Sequence, residues 1–175
     1  MKKTKKILLL PLYFLCLCIF YFNHRLFMKL FNSYLIAKGL NLHGTPRYIG
    51  VHVKFDNPSL IEIGDKTTIS DECHLLTHDY SITNAFRACG KIISKDIAIV
   101  RGIKIGNNCF IGKKSIIMPN TSIGDNCIIG AGSVVRGEIP NNSLVIGNPA
   151  QIIGNVFELA KKWEKLNPDL IRQDK

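Results

Sequence analysis

The chain has 175 residues, of which 46% are hydrophobic and 21% charged, enough for one domain with a full core. This balance excludes a disordered chain and a polytopic membrane protein. The formal net charge is +10, but nine Lys and Arg precede the first acidic residue, Asp56, whereas residues 56–175 hold 14 basic and 13 acidic side chains. Because the basic excess lies at the N-terminus beside an apolar run, we expect no nucleic-acid partner.

The N-terminal segment is first basic and then apolar. Four lysines precede Ile7–Phe22, a run of sixteen residues without a charge. The run has no small-residue cleavage site at its end, is short for a membrane span and is interrupted by Pro11. Basic residues follow it as well, so we expect residues 1–38 to associate with the cytoplasmic side of the bacterial inner membrane, as an anchor or a monotopic insertion. A single membrane span and a true start at Met28 are the alternatives.

Residues 26–38 predict a short helix that packs over the end of the core and completes an N-terminal unit of residues 1–40. Its apolar stripe consists of Leu26, Phe27, Leu30, Phe31, Tyr34 and Leu35. The six cysteines of the chain show no paired spacing such as CxxC. They therefore predict small reduced side chains in a cytoplasmic domain and no disulfide framework.

A period of six residues dominates the middle of the chain. Seven aliphatic residues are spaced six apart: Ile99, Ile105, Ile111, Ile117, Ile123, Ile129 and Val135. Mostly small residues lie four positions behind them: Ile103, Cys109, Ser115, Thr121, Cys127 and Ser133. Neither a helix nor an ordinary strand has this period, but a triangular coil with three six-residue faces per 18-residue rung does. Cys109 and Cys127 should then stack on adjacent rungs inside the coil.

Three stretches, Ile105–Gly112, Ile123–Ser133 and Gly147–Ala150, carry a family resemblance. They resemble the maltose, galactoside and polysaccharide O-acetyltransferase branch of the hexapeptide-repeat transferases. The resemblance implies an all-β fold, a left-handed parallel β-helix over residues 41–154, interrupted by an excursion loop at residues 79–96. Residues 155–175 predict a C-terminal helix that begins at a capping Asn155 and covers the last rung with an apolar face that includes Trp163.

His78 is the candidate catalytic residue, in a Thr-His-Asp sequence where the repeat breaks into the excursion. Transfer of an acetyl group from a thioester to an alcohol requires a base of near-neutral pKa, and no covalent intermediate. The resemblance implies that His78 is this general base, because the catalytic histidine of the polysaccharide branch lies in the same Thr-His-Asp sequence. We expect Asp79 to orient it, with Asp71, Glu72, Glu62, a backbone carbonyl or a water as alternatives.

The resemblance also implies acetyl-CoA as the co-substrate and a homotrimer whose sites lie between neighbouring chains. By motif, Lys113 and Ala131 would line the donor site, and Arg136 would meet the coenzyme phosphates. One departure concerns Gln151, which stands where the family often has Lys or Arg. Lys161 or Lys162 could then take over the contact with the phosphates.

We expect no metal site. His74 precedes His78 by four residues, but neither His43 nor His52 lies a whole number of 18-residue rungs before either of them. The predicted function is acetyl-CoA-dependent O-acetylation of a sugar hydroxyl, the carbohydrate acceptor belonging to cell-surface polysaccharide biosynthesis. The alternatives are acetylation of an amino sugar nucleotide or another small acceptor, and a non-catalytic β-helix scaffold.

Overall fold

Short strands build most of the protein within residues 10–169, the part of the chain that the computed structural model describes. The strands are β1 Asn41–His43, β2 Tyr48–Ile49, β3 Lys54–Phe55, β4 Ile61–Gly64, β5 Thr68–Ile69, β6 His74–Leu75, β7 His78–Asp79, β8 Ile99–Val100, β9 Ile103–Ile105, β10 Phe110–Ile111, β11 Ile116–Ile117, β12 Thr121–Ile123, β13 Ile128–Ile129, β14 Val134–Val135, β15 Glu138–Ile139, β16 Ser143–Gly147 and β17 Ala150–Asn155. The α-helices are α1 Leu10–Phe20, α2 His24–Ala37, α3 Ser81–Ala88 and α4 Val156–Leu166, and a 3₁₀ turn spans Pro58–Leu60. Residues 1–9 and 170–175 lie outside the described part, which therefore excludes the four N-terminal lysines of the predicted membrane-associating segment.

Three sheets form the faces of a triangular parallel coil, as the six-residue period predicts. Sheet A has the strand order β1-β4-β9-β12-β15, sheet B has β17-β16-β13-β10-β5-β2, and sheet C has β14-β11-β6-β3. Every neighbouring pair in these sheets is parallel except β16 and β17. The turns that join the sheets define an AB edge (44–47, 64–67, 106–109, 124–127 and 140–142), a BC edge (50–53, 70–73, 112–115 and 130–133) and a CA edge (56–60, 76–102, 118–120 and 136–137).

The length of a rung varies along the coil, so the expectation of a constant rung length is wrong. The rung from Tyr48 to its partner Thr68 is two positions longer than the rung from Ile111 to its partner Ile129. The rung that follows is shorter again, since Ile128 pairs with Leu144. Turns of different length at the edges account for these differences, because the strands themselves stay in register.

The interior is filled by the predicted aliphatic series. Ile111, Ile117 and Ile129 are fully buried, and the small residues four positions behind the aliphatic ones, including Cys109 and Cys127, are buried as well. Phe110 pairs with Ile128, so Cys109 and Cys127 lie side by side on adjacent rungs as predicted. Contact with the Cys127 thiol, together with burial, raises the pKa of the Cys109 thiol. Each buried isoleucine stabilises the fold by about 1.5–3 kcal/mol.

Ile99 is the exception in this series. It lies in β8, which pairs antiparallel with β7 outside the three sheets, and its side chain is 39% exposed. Of the seven residues in the series, the interior ones therefore begin one hexad later, at Ile105.

A ladder of side-chain hydrogen bonds runs up the AB edge. The Asn107 Oδ1 accepts the backbone N–H of Asp65 at 2.8 Å, the Asp125 Oδ1 accepts that of Asn107 at 2.6 Å, and the Asn141 Oδ1 accepts that of Asp125 at 2.8 Å. The residue after each of these has a positive φ, which asparagine tolerates better than most residues, as in Asn126 at 56°. These bonds satisfy backbone donors that the strands leave unpaired at the corner.

The N-terminal residues form a helical hairpin of α1 and α2 over the first rung. The Asn23 side chain caps α2 by accepting the Leu26 N–H at 3.0 Å, so the helix begins slightly before the predicted residue 26. Phe27, Phe31 and Leu35 are buried as predicted, whereas Leu26 is exposed. Within residues 10–169, no helix combines the length and the apolar character that crossing a bilayer requires.

The C-terminal helix has the predicted cap but not the predicted position. The Asn155 Oδ1 accepts the Phe157 N–H at 2.8 Å. Strand β17 folds back along β16, and none of the residues of α4 is buried. The Trp163 side chain is 55% exposed, so its predicted place over the last rung is wrong within this single chain.

Candidate active site

The predicted excursion leaves the coil at the CA edge and is more ordered than the expected loop. Strands β7 and β8 pair antiparallel at its base, and α3 forms its outer part. The buried Thr83 ties the two halves together, because its Oγ1 donates to the Ile97 carbonyl at 2.9 Å and accepts the Ile97 N–H at 2.8 Å. The excursion thus holds the residue at its start, His78, in a fixed place on the edge.

His78 is paired with Asp56, a residue that no sequence motif selected. The Nδ1 of His78 contacts the Oδ2 of Asp56, which also accepts the Thr77 N–H at 3.1 Å and the Thr77 Oγ1–H at 3.0 Å. The Asp56 side chain is 19% exposed and that of His78 is 43% exposed. The carboxylate therefore lies beneath the imidazole, whose remaining exposed surface is available to a reactant.

Partial burial raises the pKa of Asp56, but the hydrogen bonds from Thr77 and the contact with His78 outweigh it and hold that pKa below its usual value. Asp56 is therefore ionised at neutral pH. An ionised carboxylate at Nδ1 fixes the proton of a neutral imidazole on that nitrogen, which leaves the lone pair of Nε2 free to accept a proton.

Asp79 does not orient His78, so the expectation for this carboxylate is corrected. Its Oδ1 accepts the Ser81 N–H at 2.8 Å, at the start of α3, and this bond lowers the pKa of Asp79. The alternatives are also engaged elsewhere: Asp71 with Tyr48 and His52, Glu72 with Lys113 and Lys114, and Glu62 with His43 and Lys104. Asp79 is adjacent to His78 along the chain, but Asp56 is adjacent to it across the rungs.

Tyr80 completes the surroundings of the histidine. Its ring lies nearly perpendicular to the His78 imidazole, at 76°, with 5.3 Å between the ring centroids. Such an edge-to-face contact restricts the rotation of the imidazole. No sequence motif pointed to Tyr80, although it lies only two residues after the histidine in the chain.

The predicted donor residues lie on two different edges. Lys113 and Ala131 occupy equivalent positions on successive rungs of the BC edge, where the Gly132 N–H donates to the Lys113 carbonyl at 2.8 Å. The Lys113 Nζ lies 3.0 Å from a Glu72 carboxylate oxygen. Arg136 lies on the CA edge, and its charge acts on Asp79 beside the histidine. One chain therefore places Arg136 on the same edge as His78 but Lys113 and Ala131 on the neighbouring edge.

His74 lies on β6. It pairs with Lys54 in the register of sheet C, and burial lowers its pKa. In the part of the chain that the structure describes, no three His, Cys, Asp or Glu side chains come together as a metal site would require.

Comparison with known proteins agrees with the fold of the coil. Residues 102–137 match the family model described as bacterial transferase hexapeptide (six repeats). The chain carries the hexapeptide repeat. Galactoside acetyltransferase, solved in complex with coenzyme A, superimposes with a TM-score of 0.61 and 23% identity over 90% of this chain and 84% of that one. The coil is thus the predicted left-handed parallel β-helix.

Two relatives are similar to the hexapeptide-repeat chain in sequence. Protein CapG of Staphylococcus aureus is 42% identical over 117 residues, which are 63% of this chain and 65% of the relative. WbbJ of Escherichia coli (strain K12), provisionally assigned as a lipopolysaccharide biosynthesis O-acetyl transferase, is 32% identical over 108 residues, 60% of this chain and 55% of the relative. The chain thus spans less than two thirds of the length of either relative.

Proposed function

We propose that the protein is an acetyl-CoA-dependent O-acetyltransferase that acts on a sugar hydroxyl in cell-surface polysaccharide biosynthesis. The observation that carries the proposal is the pairing of His78 Nδ1 with the ionised Asp56 at the CA edge, beneath an exposed imidazole face. The resemblance to WbbJ, assigned to lipopolysaccharide O-acetyl transfer, supports the class of acceptor. The likeness to a galactoside acetyltransferase that binds coenzyme A supports the fold on which this chemistry would take place.

The reaction is a direct transfer. The Nε2 of His78 accepts the proton of the sugar hydroxyl as the hydroxyl oxygen attacks the thioester carbonyl carbon. Collapse of the tetrahedral intermediate breaks the carbon–sulfur bond, and the imidazolium returns its proton to the departing thiolate. Asp56 stabilises the imidazolium that forms between these steps, without itself taking the proton.

A complete site requires two chains. Lys113 and Ala131 lie on the BC edge, whereas His78 and Arg136 lie on the CA edge. In a ring of three identical coils, the BC edge of one chain can face the CA edge of the next, which would bring the two groups together. We therefore propose a homotrimer with acetyl-CoA bound between neighbouring chains.

Thermal unfolding of the full chain with and without acetyl-CoA tests the donor. At about 100 times its dissociation constant a ligand stabilises the native state by about 2.7 kcal/mol, which raises the midpoint of a chain this size by several degrees. The His78→Ala variant should keep the shift and lose the release of free coenzyme A thiol in the presence of methyl glycosides. The absence of a thermal shift for wild type with both acetyl-CoA and free coenzyme A would overturn the proposal. Faster turnover with amino sugars than with methyl glycosides would reassign the acceptor.

Mixing two inactive variants tests the shared site. The His78→Ala variant lacks the base, and the Ala131→Trp variant fills the proposed donor groove on the other edge. If the two edges meet across chains, random co-assembly should place an intact His78 opposite an intact Ala131 at about a quarter of the interfaces and restore that share of activity. No recovery in a mixture shown to have exchanged chains would contradict a site between subunits.

We also propose that residues 1–38 place the protein on the cytoplasmic side of the bacterial inner membrane. The exposed aromatic residues Tyr21 and Phe22 at the tip of the helical hairpin support this placement. Lipid-linked glycan intermediates would then meet the site at a raised local concentration.

A further inference from the structure

A cavity lies at the AB edge, which carries none of the predicted catalytic or donor residues. It is a groove of about 730 Å³ between one face of α2 and the first turn of the coil. Arg25, Lys29, Asn32 and Ile36 line it from the helix, at the spacing of one helical face. Thr45, Arg47, Lys66 and Asn108 are among the residues that line it from the coil. The volume is that of a small-molecule site.

The lining of this groove is cationic. Arg25 and Lys29 face Arg47 and Lys66 across it, and no carboxylate is among the lining residues. Within residues 10–169 none of these four cations has an acidic partner at ion-pair distance. The carboxylate next in sequence, Asp65, is used by the backbone, because its Oδ1 accepts the Thr45 N–H at 2.8 Å. Positive charge collected in a concave site without compensation favours an anion.

A buried acceptor in the same groove is unsatisfied. The Asn32 side chain is 8% exposed, and its Oδ1 is buried with no hydrogen-bond partner in the described part of the chain. A buried polar atom without a partner is uncommon and unfavourable, so an occupant that supplies a donor would be bound preferentially. The groove thus combines four donors for an anion with one acceptor for a hydroxyl.

Exposed apolar side chains adjoin the cationic end of the groove. Tyr21 and Phe22 form the tip of the helical hairpin, and Leu26 follows Arg25 on α2; all three are exposed. Apolar and aromatic side chains beside basic ones are typical of a surface that enters the headgroup region of a membrane. The occupant of the groove would therefore be presented by a bilayer.

We propose that this groove binds the phosphate headgroup of an anionic membrane lipid, with a headgroup hydroxyl donating to the Asn32 Oδ1. The proposal rests on the membrane placement proposed above and gives it a specific site. It is independent of acetyl transfer, because the AB edge is separate from the two edges that carry His78 and Lys113.

Flotation of the full chain with lipid vesicles tests the charge of the groove. The probes are phosphatidylcholine vesicles with and without phosphatidylglycerol. Arg47→Gln combined with Lys66→Gln should weaken binding to the anionic vesicles roughly 30-fold. The matched pair Lys104→Gln and Lys165→Gln removes the same charge outside the groove and should stay within about threefold of wild type. Equal losses for both pairs, or no loss for the groove pair, would overturn the proposal.

A second comparison tests the hydroxyl contact. Phosphatidylglycerol and phosphatidylmethanol carry the same charge, but only the first has a free headgroup hydroxyl. Wild type should prefer phosphatidylglycerol about threefold or more, and Asn32→Leu, which removes the unsatisfied acceptor, should abolish the preference. A preference that persists in the variant would overturn the assigned role of Asn32.

Two further outcomes separate this proposal from the others. Full displacement of the protein from vesicles by millimolar glycerol phosphate would assign the groove to a soluble phosphate and overturn a lipid site. A wild-type chain that binds no vesicle would overturn both the groove and the membrane placement. Neither result would alter the thermal shift with acetyl-CoA, which tests the enzymatic proposal separately.

Discussion

Substitution of Asp56 by Asn tests the candidate site most directly, because it removes one charge and changes almost nothing else. The new amide oxygen can still accept the N–H and the O–H of Thr77, at the 3.1 and 3.0 Å now made to the carboxylate. Replacement of Asp56 by Ala would leave the backbone N–H of the buried Thr77 unsatisfied and destabilise the fold by about 1–3 kcal/mol. Asn avoids that cost and isolates the effect on His78.

The expected effect follows from which atom faces the imidazole. The oxygen that Thr77 holds is also the atom that contacts the His78 Nδ1, so an amide oxygen in its place still accepts the Nδ1 proton. The Nε2 lone pair therefore stays free to accept the proton of the sugar hydroxyl. The variant lacks only the charge that stabilises the imidazolium. Because a hydrogen bond to a charged group is stronger than a neutral one by about 1–2 kcal/mol, we expect a loss of about 5- to 30-fold in kcat with little change in KM for acetyl-CoA.

Steady-state kinetics with acetyl-CoA and a saturating methyl glycoside would measure this loss. Asp79→Asn is the matched control, since an Asn side chain can still accept the Ser81 N–H, and its kcat should stay within about threefold of wild type. A folded Asp56→Asn variant with a comparably small loss would refute the assigned role of Asp56.

The remaining predictions concern stability. Gly112→Ala would place a Cβ 2.4 Å from a backbone nitrogen of the next rung and should lower the free energy of unfolding by roughly 1–3 kcal/mol or more, as measured by denaturant titration. Gly154→Ala, whose nearest contact would be 4.0 Å away, should be nearly neutral in the same titration. Ile117→Ala should cost about 2–5 kcal/mol, and Ile116→Ala, which is only half-buried on the same strand, clearly less. Because the pKa of Asp56 is lowered in the folded state, its ionisation stabilises the protein above about pH 4, and this stabilisation is lost as the pH falls through the lowered pKa. The difference in unfolding midpoint between wild type and Asp56→Asn should therefore shrink in acid.

The coil could be predicted from sequence because its period is imposed locally. Each hexad places one aliphatic residue, such as Ile111, inside a face and one small residue, such as Ser115, beside a corner, and both are buried. The Ser115 Oγ donates to the Gly112 carbonyl at 2.7 Å, a contact within its own hexad. The same locality is misleading at Ile99, which has the right spacing but lies on the excursion.

The helices at the two ends were less predictable, because their amphipathic patterns do not specify what covers them. The stripe of α2 that contains Phe27 and Phe31 packs over the first rung. A comparable stripe on α4 leaves Trp163 exposed, since β17 diverts the chain before the helix begins. An apolar face predicts that something is buried against it, and the topology decides whether the partner belongs to the same chain.

The partner of His78 could not be found by reading outward from the histidine, because in a coil the nearest neighbours are one rung apart. The spacing of Ile49 and Phe55 continues the hexads upstream. Ile63, which pairs with Ile105 of the aliphatic series, follows eight positions later, after the 3₁₀ turn of Pro58–Leu60. The two additional positions lengthen the first rung, so that Phe55 pairs with Leu75. Asp56 then lies beside residue 76, at the start of the excursion. Extending the hexads backward with a variable corner length would have selected Asp56, whereas a rung of fixed length concealed it.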